Sequence, residues 1–182
     1  DARGGLAAHT GALCVEHASH IVGPSWIALG NLLETPDVVS AMAEAFHMKD
    51  GGLAERLLGG LEAAVTAGGD MRGQQSAALL VVPSIADDTD REEEAIDLSV
   101  ADHPEAVQEL HRLIELDRVY RGLLRTRRAE RDGHIDAAVV QLKMLEGQGP
   151  VEIEFWRAIA LARLTRVEEA LPFMKKVLAA EP

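Results

Sequence analysis

The stretch "GGDMRGQQSAALLVV", residues 68–82, joins a glycine pair and a polar cluster to an almost purely apolar run. The run from Ser76 to Val82 is short and bounded by turn residues, which predicts a strand buried on both faces. The alternating "AIDLSV", residues 95–100, predicts a second strand that pairs antiparallel with the first. Between them, "DDTDREEEA", residues 87–95, is typical of a solvated acidic loop.

Two amphipathic helices are predicted before this stretch. In "TPDVVSAMAEAFHMKDGG", residues 35–52, Thr35 is placed to cap a helix and Pro36 to begin it. A second helix is predicted from Leu53 to about Ala67, with a leucine-rich face and an end at the glycine pair. Because strands and helices occupy separate runs, the sequence predicts an α+β fold.

A helical pattern continues from Asp102 to the end of the chain and contains an internal repeat. "RDGHIDAAVVQLKMLEGQGP", residues 131–150, aligns without gaps with "RLTRVEEALPFMKKVLAAEP", residues 163–182, every pair being 32 positions apart. This period resembles that of tetratricopeptide repeats, which is about 34 residues. A plain pair of helical hairpins is the alternative. We therefore expect one domain over residues 1–117 and an all-α, tetratricopeptide-repeat-like region over residues 118–182.

Composition and charge exclude several classes of protein. The 182 residues carry 30 acidic and 18 basic side chains, a formal net charge of -12, which argues against nucleic acid or an anionic membrane as partner. Hydrophobic residues make up 47% of the chain, but no apolar run approaches the roughly 20 residues of a membrane-spanning helix. The single cysteine excludes an intrachain disulfide, so we expect a folded protein of the reducing cytoplasm.

The polar cluster before the apolar run is the first candidate site. It consists of Asp70, Arg72, Gln75 and Ser76. In the functional interpretation, Arg72 holds a carboxylate or phosphate while Gln75 and Ser76 offer hydrogen bonds at the mouth of the strand. In the structural alternative, Asp70 satisfies turn amides and Arg72 pairs with it or with helix carbonyls. No partner base is identifiable, so the residue types alone favour the structural alternative.

A threonine beside a histidine offers the residue types of a nucleophile and its base. His9 and Thr10 lie in "GLAAHTG", residues 5–11, which we predict as a short strand. Neighbouring side chains in a strand point to opposite faces, so the two residues do not form a catalytic dyad by themselves. Thr10 is better explained as a residue that closes the following turn.

Three possible metal ligands, Cys14, His17 and His20, follow at three-residue intervals. A structural zinc site normally needs four ligands arranged as close pairs, and no second pair of suitable spacing is visible. The favoured interpretation is a buried thiol with two ordinary histidines. We therefore expect no metal and no cofactor.

Three further polar positions have structural explanations. Asn31 follows a glycine and suits a turn or the approach to a helix. Asp102 suits an N-cap, with His103 beside it and Pro104 ready to begin the long helix. They nevertheless remain candidate site residues, because they are polar and lie in the loops between predicted elements.

Several motifs together resemble one known family. They are "AAHTG" (residues 7–11) followed by Cys14, "LGN" (29–31), "LAERLL" (53–58), "GGDMRGQQSAALLVV" and "ADHP" (101–104). They resemble the bacterial and archaeal domain-of-unknown-function family ten twenty-eight, placed among folds similar to the N-terminal-nucleophile (Ntn) hydrolases. The resemblance covers about residues 1–117. The chain departs from the family pattern at Leu29, where the family has glutamine, and at residues 99–101, where the family is more charged.

The resemblance implies a partial αββα sandwich, in which residues 1–117 are the C-terminal portion of the domain. The opening strands would precede Asp1, and the turn-like "DARGG", residues 1–5, agrees with this because nothing stands before it to connect. In Ntn hydrolases a terminal Thr, Ser or Cys attacks an amide bond, with its own amine as base. Asp1 cannot fill that role. The resemblance thus implies a nucleophile outside this chain, or a fold kept without the chemistry.

Two functions of different classes follow. The first is an amide-bond hydrolase whose nucleophile lies outside this chain and whose pocket is lined or supported by the polar cluster. The second is a non-catalytic scaffold or interaction module, in which the repeat-like tail recruits a peptide or drives self-association. In both cases we expect a small-molecule or peptide ligand and a homo-oligomer, without nucleic acid or membrane as partner.

Overall fold

The computed structural model describes residues 3–82 and 95–180, which form four strands and six helices. The strands are β1 (Ser19–Val22), β2 (Ile27–Gly30), β3 (Ala77–Val81) and β4 (Ile96–Val100). The helices are α1 (Val38–Met48), α2 (Leu53–Thr66), α3 (Ala106–Arg131), α4 (Ile135–Met144), α5 (Val151–Arg163) and α6 (Val167–Ala180). This is the mixed α+β composition that the sequence predicts, with a mostly helical C-terminal half. None of the described helices is long and apolar enough to cross a lipid bilayer.

Residue contacts divide the chain into two compact units, residues 1–111 and residues 112–182, with the division inside α3. The N-terminal unit contains both small sheets, each of two antiparallel strands. In one sheet Ser19 lies opposite Gly30, and in the other Ala77 lies opposite Val100. The predicted antiparallel pairing of the two strands that flank the acidic loop is therefore confirmed. The loop itself, residues 87–95, lies almost wholly outside the described residues.

The core of the N-terminal unit forms where α1 packs on the β1–β2 hairpin. Val38 and Val39 begin α1 and are buried with Leu33, beside the partly buried Met42. Val38 and Met42 are about one helical turn apart and so face the same side, which is why the predicted apolar stripe packs inward.

The prediction that β3 is buried on both faces is wrong. Leu79 is buried, whereas the side chain of its neighbour Leu80 is 64% exposed. A continuous apolar run is buried on both sides only when layers cover both faces of its sheet. The described part of this sheet has two strands, and the face that carries Leu80 is open.

The start of α1 also differs from the prediction, because neither Thr35 nor Pro36 begins the helix. The Thr35 hydroxyl instead donates a 2.7 Å hydrogen bond to the carbonyl of Ala67, just after α2. Helix α2 begins at Leu53 as predicted, and at its end the amides of the glycine pair, residues 68–69, donate to carbonyls inside the helix. These glycines have φ values of 121° and 65°, a region that residues with a Cβ rarely adopt.

Asp102 is not the N-cap that the sequence predicts for the long helix. It is exposed, with a left-handed φ of 52°, and α3 begins four residues later. Two other side chains accept hydrogen bonds from amides at this helix start. Gln74 Oε1 accepts from the amide of Val107 at 2.9 Å, and His103 Nδ1 accepts from the amide of Glu105 at 3.1 Å. The prediction failed because the cap comes from a residue distant in sequence.

In the C-terminal unit, the internal repeat corresponds to two matching helix ends. Gly133 and Thr165, 32 positions apart, have left-handed φ values of 78° and 61°. The next residues, His134 and Arg166, each donate their amide to the carbonyl five residues earlier, at 2.8 Å in both cases. This is the Schellman arrangement that ends a helix and turns the chain into the next one. Two further equivalent residues are both buried, Ala138 and Ala170.

A buried ion cluster joins the last three helices of this unit. Arg157, 2% exposed, donates from Nε to the carbonyl of Leu142 at 2.9 Å and from Nη1 to Glu154 at 2.5 Å. Its guanidinium lies 4.1 Å from the centre of the Phe173 ring. Lys176 Nζ donates to the other oxygen of Glu154 at 2.8 Å. Each charge in the cluster therefore has an opposite charge or a hydrogen-bond partner, as buried ions require.

Candidate functional site

The junction between α2 and β3, residues 68–76, is fixed to the chain that follows β2. The Glu34 amide donates to the Gly69 carbonyl at 3.0 Å, and the Met71 amide donates to the Leu32 carbonyl at 2.8 Å. This short antiparallel bridge holds the junction beside the buried Leu33. The polar cluster of the sequence is thus attached to the core of the N-terminal unit.

Asp70 to Gly73 form a tight turn within the junction. The Gly73 amide donates to the Asp70 carbonyl at 2.9 Å, and Gly73 has a φ of 85°. The Asp70 carboxylate also accepts from the Arg72 amide at 2.8 Å. Aspartate at the first position of a turn and glycine at the fourth are favoured for these reasons.

Asp70 and Arg72 form a two-pronged ion pair over this turn. Arg72 Nε donates to Asp70 Oδ1 at 2.9 Å and Nη2 donates to Oδ2 at 2.6 Å. The hydrogen bonds from the Arg72 side chain and amide lower the pKa of Asp70 from 3.8 to about 2. Because its pKa is depressed, Asp70 stays ionised and the pair stays intact until the pH falls to about 2. The structural alternative therefore accounts for this pair.

The same pairing changes what Arg72 can recognise. Of the five N–H groups of a guanidinium, two face Asp70, so three remain for another acceptor. The Arg72 side chain is 68% exposed, which leaves these donors accessible. The positive charge, however, is matched by Asp70, so an incoming anion would meet a carboxylate as well as a guanidinium. The arrangement suits an uncharged acceptor, such as an amide carbonyl, better than a carboxylate or phosphate.

The junction borders a pocket of about 610 Å³ in the N-terminal unit. Its apolar lining residues include Leu33, Val38 and Met42, which belong to or pack against the core and are called the apolar floor below. The structure brings four of the predicted site residues to its lining: Asp70, Arg72, Gln75 and Ser76. Polar and apolar residues thus share the lining, and small-molecule sites likewise combine apolar walls with polar groups that orient the ligand.

His9 and Thr10 are not among the residues that line this pocket. Residues 5–11 form no strand in the described part of the chain, so that prediction is wrong; alanine and glycine have a low strand propensity. Thr10 Oγ1 lies 2.6 Å from Nδ1 of His20 in β1, which links the loop to the hairpin. The sequence analysis assigned Thr10 to the following turn; the contact with His20, ten residues later, was not predicted because loop closure is not visible in local spacing.

The other predicted site residues stay apart from the pocket lining. Cys14 is exposed, contrary to the buried thiol that the sequence favours. Among residues 3–82 and 95–180, no three His, Cys, Asp or Glu side chains are grouped to hold a metal ion. Asn31 Oδ1 accepts the amide of Leu32 at 2.9 Å and so serves its local turn. Asp102 and His103 precede the long helix and are absent from the lining of this pocket, although the nearby Pro104 and Val107 belong to it.

Gln74 is a pocket residue that the sequence analysis missed. It lines the pocket, and its side chain accepts the amide of Val107, another lining residue, at 2.9 Å. It thereby joins the junction to the first turn of α3. The two adjacent glutamines were a possible signal of a polar site. The prediction included only Gln75, because nothing in the sequence indicates which glutamine contacts the start of a helix.

These features define an α+β protein of two compact units, with a pocket at a glycine-rich junction in the first. The chain belongs to the family of unknown function DUF1028, whose match spans residues 1–110. This confirms the family that the motifs suggested. A comparison with curated proteins finds no match.

A solved structure supports the same family. The chain is 33% identical to a protein from Silicibacter pomeroyi whose crystal structure is described under the same family, with a TM-score of 0.51. The similarity covers 61% of this chain and 45% of that protein. The chain therefore matches less than half the length of its relative.

Proposed function

We propose that the N-terminal unit is the ligand-binding part of an Ntn-hydrolase-like protein that acts on an amide bond, with the nucleophile outside residues 1–182. The observation that carries the proposal is the pocket at the junction, where the predicted polar residues meet an apolar floor. We further propose that the ligand carries an apolar group and an uncharged amide. The apolar group would contact the floor near Leu33, and the amide would lie at the polar edge.

The exposed faces of the small sheets support the sandwich fold in this proposal. Helix α1 already covers one face of the β1–β2 hairpin, so further strands or a second layer would cover the other face. Four apolar side chains of the described strands are exposed: Ile21, Val22, Leu29 and Leu80. Further strands and layers, as in an αββα sandwich, would cover such side chains and add hydrogen bonds at the open edges.

The chemistry of the junction supports an amide as the ligand group. The free N–H groups of Arg72 can donate to a carbonyl oxygen, and the exposed Gln75 and Ser76 offer both donors and acceptors. Asp70 fixes the guanidinium, so little conformational freedom is lost on binding. We also propose a reducing cytoplasmic location, since the exposed Cys14 is the single cysteine of the chain.

Binding of N-acetyl-L-leucinamide, an uncharged apolar amide, tests this proposal. We expect Arg72→Ala to weaken its binding about five- to tenfold, because a net hydrogen bond contributes about 1 kcal/mol. The turn should survive, since the bond from the amide of residue 72 to Asp70 comes from the backbone. Affinities would be measured by titration calorimetry.

The matched control is Arg166→Ala, which removes an equivalent two-pronged surface pair with Glu169 in the other unit. It should leave the affinity unchanged. Equal affinity of wild type and Arg72→Ala would contradict the proposed role of Arg72. Tighter binding of the anionic N-acetyl-L-leucine than of the amide would contradict the inference that Asp70 disfavours anionic ligands at Arg72.

Self-association through the tail is a second candidate function, and one feature of α6 favours it. Val167, Leu171 and Leu178 are exposed. Leu171 and Leu178 lie four and eleven residues after Val167, which is about one and three helical turns. They therefore form one apolar stripe on the helix. We propose that a second copy of the chain covers this stripe.

Light scattering tests the second candidate. The double variant Leu171→Glu, Leu178→Glu should convert a wild-type dimer into a monomer, because two charges would be buried in the interface. Met144→Glu, an exposed apolar position on α4, is the control and should leave the mass unchanged. A monomeric wild type, or a dimer that persists in the double variant, would refute the proposal.

A further inference from the structure

A second cavity lies in the C-terminal unit, between α3 and α5, and goes beyond the proposed function of the junction pocket. The geometry points to a binding site for a free apolar α-amino acid of about leucine to phenylalanine size. Its apolar side chain would enter the cavity, its ammonium would bind Glu130, and its carboxylate would bind Arg127 and Arg163.

The walls of the cavity are apolar and partly fixed in place. Its volume is about 190 Å³, and Leu123, Leu124 and Ile159 contribute to its lining. Apolar cavities of about 150 Å³ hold a benzene ring. The cavity is therefore large enough for a branched or aromatic side chain.

The aromatic end of the cavity is held by hydrogen bonds to one carboxylate. Glu152 accepts from the Tyr120 hydroxyl at 2.9 Å and from Trp156 Nε1 at 3.1 Å. Both aromatic residues line the cavity. Both bonds favour the charged form of Glu152 and so lower its pKa. The polar atoms at this end are already paired, so a ligand would present apolar surface here.

The opposite end carries an unsatisfied carboxylate. The Glu130 side chain is only 10% exposed, and its Oε1 has no hydrogen-bond partner among the described residues. The other oxygen, Oε2, lies 3.9 Å from Nη1 of Arg163, within ion-pair range but beyond hydrogen-bond range. Leaving a buried acceptor unpaired is costly, so this atom is the strongest sign of a missing donor.

The charges around Glu130 select the class of ligand. Arg127 and Glu130 are three residues apart on α3 and so are neighbours on its surface, and both line the cavity with Arg163. A lone ammonium would satisfy Glu130 but would meet two guanidiniums. A lone carboxylate would bind the guanidiniums but would leave Glu130 Oε1 unpaired beside a second anion. A zwitterion that carries both groups on one carbon satisfies all three side chains.

Titration calorimetry of the full chain with L-leucine and L-phenylalanine tests this inference. We expect sub-millimolar binding of both amino acids. In the Arg72→Ala background, which weakens amide binding at the junction pocket, leucinamide, which lacks the carboxylate, and N-acetyl-L-leucine, which lacks the ammonium, should each bind at least tenfold more weakly than L-leucine. Glycine should not bind measurably, because it has no side chain to occupy the cavity.

Glu130→Gln is the decisive variant, because it keeps the shape of the side chain and removes its charge. It should weaken L-leucine binding at least tenfold while leaving the melting temperature unchanged or raised, since the removed charge is largely buried and one of its oxygens has no hydrogen-bond partner among the described residues. Glu168→Gln, an exposed position on α6, is the matched control and should bind like wild type. No binding of either amino acid, equal binding of leucinamide, or full affinity in Glu130→Gln would overturn the assignment. Arg72→Ala should not affect it, which separates this site from the junction pocket.

Discussion

Replacement of Arg157 by alanine is expected to reduce the free energy of unfolding of the C-terminal unit by about 3–5 kcal/mol. Arg157 is almost fully buried and makes four contacts: a hydrogen bond to the carbonyl of Leu142, ion pairs with Glu154 and Glu146, and stacking on Phe173. Alanine would remove all four at once and leave a cavity. The carbonyl and the carboxylate would lose partners inside the protein, which is the costly way to break a buried pair.

The protonation of Glu154 provides a second readout of the same substitution. Burial raises the pKa of Glu154, but hydrogen bonds from Lys176 and Arg157 outweigh it, and the net effect is a lowered pKa. Without Arg157, the pKa should rise. Since the native pKa is depressed, the stabilisation from this carboxylate is present above its unfolded-state pKa and is lost as the pH falls through the folded value. The variant should therefore lose stability on acidification at a higher pH than wild type.

Urea unfolding followed by Trp156 fluorescence, in a Trp26→Phe background, would measure the effect. Trp26 lies in the N-terminal unit and its buried Nε1 has no hydrogen-bond partner among the described residues, so phenylalanine should be tolerated there. Arg166→Ala is the control, because its pair with Glu169 is exposed and should contribute only about 0–1 kcal/mol. A loss no greater in Arg157→Ala than in Arg166→Ala would show that the buried cluster does not stabilise the unit.

Leu33→Ala should reduce the stability of the N-terminal unit by about 2–5 kcal/mol. Leu33 is buried in the core with Val38 and Val39, and its backbone forms the bridge to Asp70. A Cβ on Gly30 would come within 2.8 Å of the Leu33 side chain, so the leucine fills its space closely. Removal of its terminal carbons would create a cavity that opens toward the pocket.

Fluorescence of Trp26, in a Trp156→Phe background, would report this transition because Trp26 packs against the same core. Leu29→Ala is the matched control: Leu29 also lines the pocket, but it is 62% exposed. Its replacement should change the stability by no more than about 0.5 kcal/mol. Similar losses in the two variants would mean that the pocket floor is not part of the core.

Local patterns predicted the elements whose causes are local. Helix α2 ends at the glycine pair because glycine readily adopts left-handed φ values. The 32-residue repeat of the sequence corresponds to two equivalent helix ends in the structure. The pairing of β3 with β4 was predictable because the two apolar runs are adjacent in the chain. The burial of β3 was not, because burial depends on which layers cover a sheet and not on the strand alone.

Only the part of the candidate site that depends on neighbouring residues could be predicted from the sequence. The polar cluster was identified from its residue types, and the turn made by Asp70, Arg72 and Gly73 is local. The roles of Gln74 at the start of α3, and of His20 as the partner of Thr10, depend on contacts across 33 and 10 positions. Neither spacing has a periodic signature. The unsatisfied Glu130 was likewise invisible, because in sequence it is one of many charged residues on a helix.

The central claim is that the junction of residues 68–76 forms a binding pocket and not only a turn. The most direct measurement is a map of amide chemical shifts in ¹⁵N-labelled protein during titration with N-acetyl-L-leucinamide. The largest changes should occur at Gly69, Gly73, Gln75 and Val107, and they should shrink in Arg72→Ala but persist in Arg166→Ala. If those amides do not move at saturation while others do, the pocket is not the binding site and the junction is a turn alone.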